Sequence, residues 1–107
     1  MLYQVYAGSY TSESDKDGIY QIELDTQKER LRLIGAYREM ENPSFLAVTP
    51  EHLYAVSERD EDGMVGAYKR NRADGTLDFL GSVSTRGSAM CHLSIWPGGK
   101  YFSAANY

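Results

Sequence analysis

The stretch from Pro43 to Glu58 returns, residue type by residue type, as Met90 to Asn106. Leu46 aligns with Leu93 and Pro50 with Pro97, both at an offset of 47. Four short strands and their turns fill about 40–50 residues, so a repeat of this length is the unit of a β-propeller blade. A ring closes with roughly 4–8 such blades, and 107 residues hold little more than two. The expected fold class is therefore all-β, a partial β-propeller of four-stranded antiparallel blades that the chain does not complete alone.

Nine short strands and no helix are expected. They run over Leu2–Ser9, Gly18–Asp25, Leu31–Arg38, Phe45–Thr49, His52–Glu58, Met64–Arg70, Leu77–Ser84, His92–Trp96 and Lys100–Tyr107. Asp74-Gly75 and Pro97-Gly98-Gly99 are turn signals between them. The hairpins also repeat: Leu31–Gly35 matches Leu77–Gly81 at an offset of 46. With blade strands lettered A (innermost) to D, the order reads B-C-D over residues 1–40, A-B-C-D over 41–86 and A-B over 87–107. A polar loop, Tyr10–Asp17, joins the first two strands. A helix over Asp25–Tyr37 is the competing reading of Lys28-Glu29-Arg30 and the leucines, but Ile34-Gly35-Ala36-Tyr37 favours a strand.

Composition removes several classes. A net charge of −4 argues against nucleic acid or an anionic membrane surface, both of which want a basic face. No apolar run approaches a bilayer span, and the start, Met1-Leu2-Tyr3-Gln4, has no basic region of a secretory signal. The single cysteine, Cys91, cannot form an internal disulfide, which makes the cytoplasm the expected compartment. No zinc or calcium spacing and no glycine-rich phosphate loop occurs, so no metal and no cofactor is expected.

Several motifs in series carry a family resemblance. They are Ala7-Gly8-Ser9-Tyr10-Thr11, Gly18-Ile19-Tyr20, Glu41-Asn42-Pro43-Ser44-Phe45-Leu46-Ala47 and Leu53-Tyr54-Ala55-Val56-Ser57-Glu58. Cys91-His92-Leu93, Pro97–Tyr101 and Ala105-Asn106-Tyr107 continue the series. In order and spacing the chain resembles the N-terminal third of the lactonases with a seven-bladed β-propeller, which include a 6-phosphogluconolactonase and carboxymuconate cyclases. It departs from them at Met90, where proline is usual, at Trp96, where aspartate is usual, and in the turn Pro97-Gly98-Gly99. The resemblance implies about two blades of a seven-bladed ring and hydrolysis of a sugar lactone by the intact protein. A carboxymuconate-type cycloisomerase and a non-catalytic binding or scaffold propeller are the alternatives.

Strands A and B form a hairpin, so residues before A and after B converge on one mouth of the channel. In the opening blade these are Ser9, Tyr10 and Thr11; in the next, Asn42, Ser44 and Glu58; in the last, Arg86, Ser88, His92, Asn106 and Tyr107. His92 and Glu58 are the candidate acid–base pair, since imidazole titrates near neutral pH and a carboxylate can activate water. Arg86 is the candidate clamp for an anionic group. Asn42, Ser44, Asn106 and Tyr10 are the further candidate substrate contacts. Each has a plainer reading: His92 bonding the next blade, Glu58 capping a strand end beside Arg59, Arg86 a solvated cation, the asparagines satisfying loop backbone.

Cys91 reads as a small buried residue and His52 as a solvated turn residue on the far face. Ser9, Ser44 and Ser88 lack the elbow motif of serine hydrolases. The expected partner is a small, anionic, hydroxylated substrate such as a sugar lactone. Open sheet edges at both ends predict self-association, and two blades hold too little of the channel mouth for robust catalysis by these residues alone.

Overall fold

The computed structural model describes residues 1–11 and 16–106. Among them the strands are β1 (Leu2–Gly8), β2 (Ile19–Asp25), β3 (Arg30–Tyr37), β4 (Leu46–Val48), β5 (His52–Ser57), β6 (Met64–Arg70), β7 (Leu77–Ser84), β8 (Met90–Ile95) and β9 (Phe102–Asn106). They form three antiparallel sheets, ordered β1-β2-β3, β4-β5-β6-β7 and β8-β9. The chain is a partial β-propeller without helices among the described residues.

Local chemistry sets the turns. Asp25 Oδ1 accepts the N–H groups of Gln27 and Lys28, each at 3.0 Å, and this closes the tip where a helix was the competing reading. At the next tip Asn71 Oδ1 accepts Ala73 N–H at 2.8 Å and Asp74 Oδ1 accepts Thr76 N–H at 3.0 Å. Such side-chain turns spare the backbone an unpaired donor at each reversal.

The core lies between sheets, in two layers. Ile19, Met40, Leu53, Ala55, Tyr68 and Leu77 fill the first, joining the first sheet to the second. Val56, Val65, Met90 and Leu93 fill the other, joining the second sheet to the third. Strand β5 serves both: Leu53 and Ala55 face one neighbour, Val56 and Tyr54 the other. A strand buried on both faces needs a continuous apolar run rather than alternation, which Leu53–Val56 provides.

A polar plug crosses the first layer. Gln21, 1% exposed, donates from Nε2 to Asp74 O at 2.7 Å and Gln4 Oε1 at 3.1 Å. Its Oε1 accepts from the Tyr37 hydroxyl at 2.9 Å. Tyr6 hydroxyl donates to Gly75 O at 2.6 Å and accepts from Arg70 Nε at 2.9 Å. The hairpin tip of the second sheet is thereby docked on the first. The far face of the first sheet is bare: Val5, Ile22 and Leu33 form one cross-strand row and Tyr3, Leu24 and Leu31 another. Tyr3, Val5, Leu31 and Leu33 of these rows are exposed.

Two expectations are corrected. Leu46 opposite Ala55 returns as Leu93 opposite Ala104, so the offset is 47 on one strand and 49 on the next. The longer Pro97-Gly98-Gly99 turn absorbs the difference, and Asn106 is the counterpart of Ser57 rather than Glu58. His52 is not a solvated turn residue: it opens β5, half-buried, with its ring stacked on Tyr54 at 5.9 Å.

Candidate functional site

Glu58 follows the end of β5, where pairing with β6 stops at Ser57–Met64. Its backbone is held from below the side chain: Glu58 N–H donates to Asn42 O at 3.1 Å, and Asn42 Nδ2 donates to Glu58 O at 3.0 Å. Asn42 Oδ1 in turn accepts Thr11 N–H at 2.7 Å. One nearly buried carboxamide thus ties the strand ends of two successive blades. Asn42 adopts φ 47°, a left-handed conformation that asparagine tolerates better than most residues.

Fixed in this way, the Glu58 carboxylate takes two hydroxyl donors on the same oxygen. Ser44 Oγ donates to Oε2 at 2.5 Å and the Tyr10 hydroxyl at 2.7 Å. These bonds, that from Ser44 foremost, hold the Glu58 carboxyl below its ordinary pKa. The Tyr10 hydroxyl moves the other way, raised chiefly by its bond to Glu58. Hydrogen bonding to the charged form favours that form, so Glu58 is an ionised acceptor at neutral pH.

Tyr10, Asn42 and Glu58 line a cleft of about 590 Å³ together with Glu41, Arg59, Asp60, Glu61 and Ala89. The cation there is Arg59, whose Nε lies 3.5 Å from Glu41 Oε2. Sequence reasoning assigned that part to Arg86. Arg86 instead is exposed at φ 57°, with its N–H on Ser84 Oγ, and does not line the cleft. Adjacency to Glu58 at the strand end was the available signal for Arg59. The cleft is also more acidic than expected, with four carboxylates in its lining.

His92 sits at the position of the next blade that corresponds to Phe45, and the two rings touch with centroids 4.6 Å apart. It is exposed, and among the described residues its imidazole has no hydrogen bond. Since Phe45 follows Ser44 directly, His92 stands beside the Glu58 cluster rather than inside it. Asn106 Oδ1 accepts from Thr85 Oγ1 at 3.3 Å, away from the cleft lining. Cys91 is half-buried, its sulfur 3.6 Å from Ala105 O. Tyr107 lies outside the described residues. No group of three or more His, Cys, Asp or Glu side chains converges as a metal site among the described residues.

Antiparallel sheets stacked face to face, with polar residues gathered where inner strands end, define a sector of a β-propeller with a polar cleft beside those strand ends. The chain belongs to the lactonase family with a seven-bladed β-propeller, whose pattern matches residues 4–107. It is 33% identical over 104 residues to the 6-phosphogluconolactonase of Bacillus subtilis, covering 95% of this chain and 30% of that protein. Its fold matches the periplasmic gluconolactonase of Pseudomonas aeruginosa with a TM-score of 0.88 at 26% identity, over 100% of this chain and 31% of that one. A Lactobacillus plantarum protein matches with a TM-score of 0.83 at 28% identity, over 100% and 31%. The chain therefore spans about 30% of the length of the relatives it matches. No helix among the described residues is long and apolar enough to cross a membrane.

Proposed function

We propose that these residues form the opening blades of a ring that hydrolyses a sugar lactone, with 6-phosphogluconolactone as the substrate the relatives' names favour. The observation that carries this reading is the ionised Glu58 carboxylate, held by two hydroxyls at the junction of two blades and lining the cleft. Water adds to the lactone carbonyl, the ring C–O bond breaks, and the departing ring oxygen takes a proton, leaving a hydroxy acid. Glu58, a carboxylate of lowered basicity, accepts a hydrogen bond that orients the substrate, and His92 is the candidate base toward the water or donor to the ring oxygen. Both are within the sector that this chain contributes; the remaining polar groups come from the other blades.

The test uses a closed ring in which residues 1–107 replace the matching segment of the Bacillus subtilis relative. Turnover of 6-phosphogluconolactone that falls about 100-fold or more in Glu58→Ala or His92→Ala supports the reading. Turnover of carboxymuconate alone assigns the ring to the cycloisomerases. No effect of either substitution on any turnover makes this sector a scaffold.

Two further readings accompany the first. The bare rows of the first sheet and the unpaired edge of β9 favour association between copies, which sedimentation of the 107-residue chain measures. A single half-buried cysteine suits the cytoplasm, although the Pseudomonas aeruginosa relative is periplasmic; cell fractionation decides between them.

A further inference from the structure

Tyr10 and Ser44 stand among the candidate substrate contacts, yet in the structure both hydroxyls are already committed. Tyr10 comes from the segment after β1, and Ser44 from the segment before β4, so they belong to different sheets. Both donate to the same oxygen, Glu58 Oε2, at 2.7 and 2.5 Å. Oε1 of the same carboxylate has no hydrogen-bond partner among the described residues, while Glu58 lines the cleft. A carboxylate has lone pairs for about four donors. Two hydroxyls on one oxygen fix the plane of the group and leave the other oxygen to accept.

We infer that Tyr10 and Ser44 are positioning residues that clamp one oxygen of Glu58 across the blade junction, so that its other oxygen reads a ligand hydroxyl. This rests on the lactonase reading for the identity of the ligand, and adds which part of the lactone the sector recognises. An ionised carboxylate accepts an O–H and repels a phosphate. The surrounding charge points the same way: Glu41, Asp60 and Glu61 share the cleft, and Arg59 is drawn to Glu41 at 3.5 Å. The sugar's hydroxylated portion belongs against Glu58, and its anionic group belongs in a sector built by other blades. Glu58 itself is hydrogen-bonded to Asn42 through both its backbone N–H and its carbonyl, so the clamp works on a side chain whose backbone is also held.

The clamp has a readout that does not depend on catalysis. The groups facing Glu58 are Tyr10, Ser44, Glu41, Arg59, Asp60 and Glu61, with Cys91 close enough to act on Tyr10. In the 107-residue chain, the carboxylate of Glu58 is followed by carbon-13 NMR across acid pH, its signal assigned by loss in Glu58→Gln. Tyr10→Phe and Ser44→Ala each remove one donor to the charged form, so the titration midpoint rises in both, more in Ser44→Ala. Midpoints unchanged in both variants overturn the clamp. The ligand arm uses the closed ring and compares glucono-δ-lactone with its 6-phosphate. Glu58→Gln lowers kcat/KM by about 10-fold or more on both, the scale of a hydrogen bond to a charged group. A loss on the neutral lactone with a gain on the phosphate overturns the hydroxyl assignment, because it puts the phosphate against Glu58. Absence of turnover of either lactone by the unsubstituted ring sinks the lactonase reading, and the titration still decides the clamp.

Discussion

The two blade junctions occupy the same place in the repeat and are built from different materials. At the first, the left-handed residue is Asn42, and its carboxamide bonds to both neighbours' strand ends. At the second, the counterpart is Ala89 at φ 50°, which offers only its backbone N–H, to Arg59 O at 2.7 Å. The first layer carries the Gln21 and Tyr6 plug, whereas the second is apolar apart from its rim, with Met90, Leu93 and Phe45 against Val56 and Val65. Apolar contact holds two sheets together without fixing their offset; directional hydrogen bonds fix it. The junction that carries the Glu58 clamp is the one whose geometry is specified.

Substitutions can break that contrast, and Gly75→Ala has the largest expected effect. Gly75 lies at φ +74°, and a Cβ there would sit 2.8 Å from Gln21 Nε2 and 2.9 Å from the Tyr6 hydroxyl. Strain and displacement of the plug together should lower stability by about 2–3 kcal/mol in chemical denaturation. Gln21→Leu follows at about 2 kcal/mol, because the Tyr37 hydroxyl and Asp74 carbonyl lose their partner inside the first junction. A loss below about half that figure would mean that the plug is ornamental to the fold.

The paired test of the left-handed position is smaller. Asn42→Ala should cost about 1–2 kcal/mol through the lost carboxamide bonds and the less tolerant conformation. Ala89→Gly should instead gain up to about 1 kcal/mol, since glycine adopts that φ freely. Equal responses at the two sites would erase the distinction drawn between the junctions. Tyr68→Phe should be neutral or stabilising by about 1 kcal/mol. Burial raises the Tyr68 pKa, with the Glu39 carboxylate adding to it, yet the hydroxyl makes no hydrogen bond of sound geometry. The smallest effect is on pH. With its folded pKa depressed, Glu58 contributes stability that is present above its unfolded pKa and lost as pH falls through the folded one. Denaturation midpoints of Ser44→Ala should therefore fall off less between neutral and acid pH than those of the unsubstituted chain.

Much of the architecture was legible because the signals are local. Proline and glycine punctuate the reversals, Leu46 and Leu93 recur, and the apolar run Leu53–Val56 announces a strand covered on both faces. Strand ends also drew Glu58, Tyr10, Asn42 and Ser44 together as candidates, and hydrogen bonds link Glu58 to the other three. What they do to one another was not legible: Tyr10 and Glu58 are 48 residues apart, and nothing short-range pairs them. Arg86 drew attention as a cation before an inner strand, but it is exposed at a left-handed turn and does not line the cleft, where Arg59 lies beside Glu41. Nothing local marks Gln21 for burial. Its burial comes from a hairpin tip 53 residues away, which only the stacking of blades brings near.

Strand β5 gives the molecule an internal clock. It is covered on both faces and paired along both edges, to β4 and to β6, whereas β9 is exposed throughout and paired on one edge. Amide protons of Leu53–Val56 can exchange with solvent only through the rare opening of the whole second sheet, so their exchange rate reports the global unfolding free energy. Those of Phe102–Asn106 report local fraying, and a docked neighbour of any kind would slow them first.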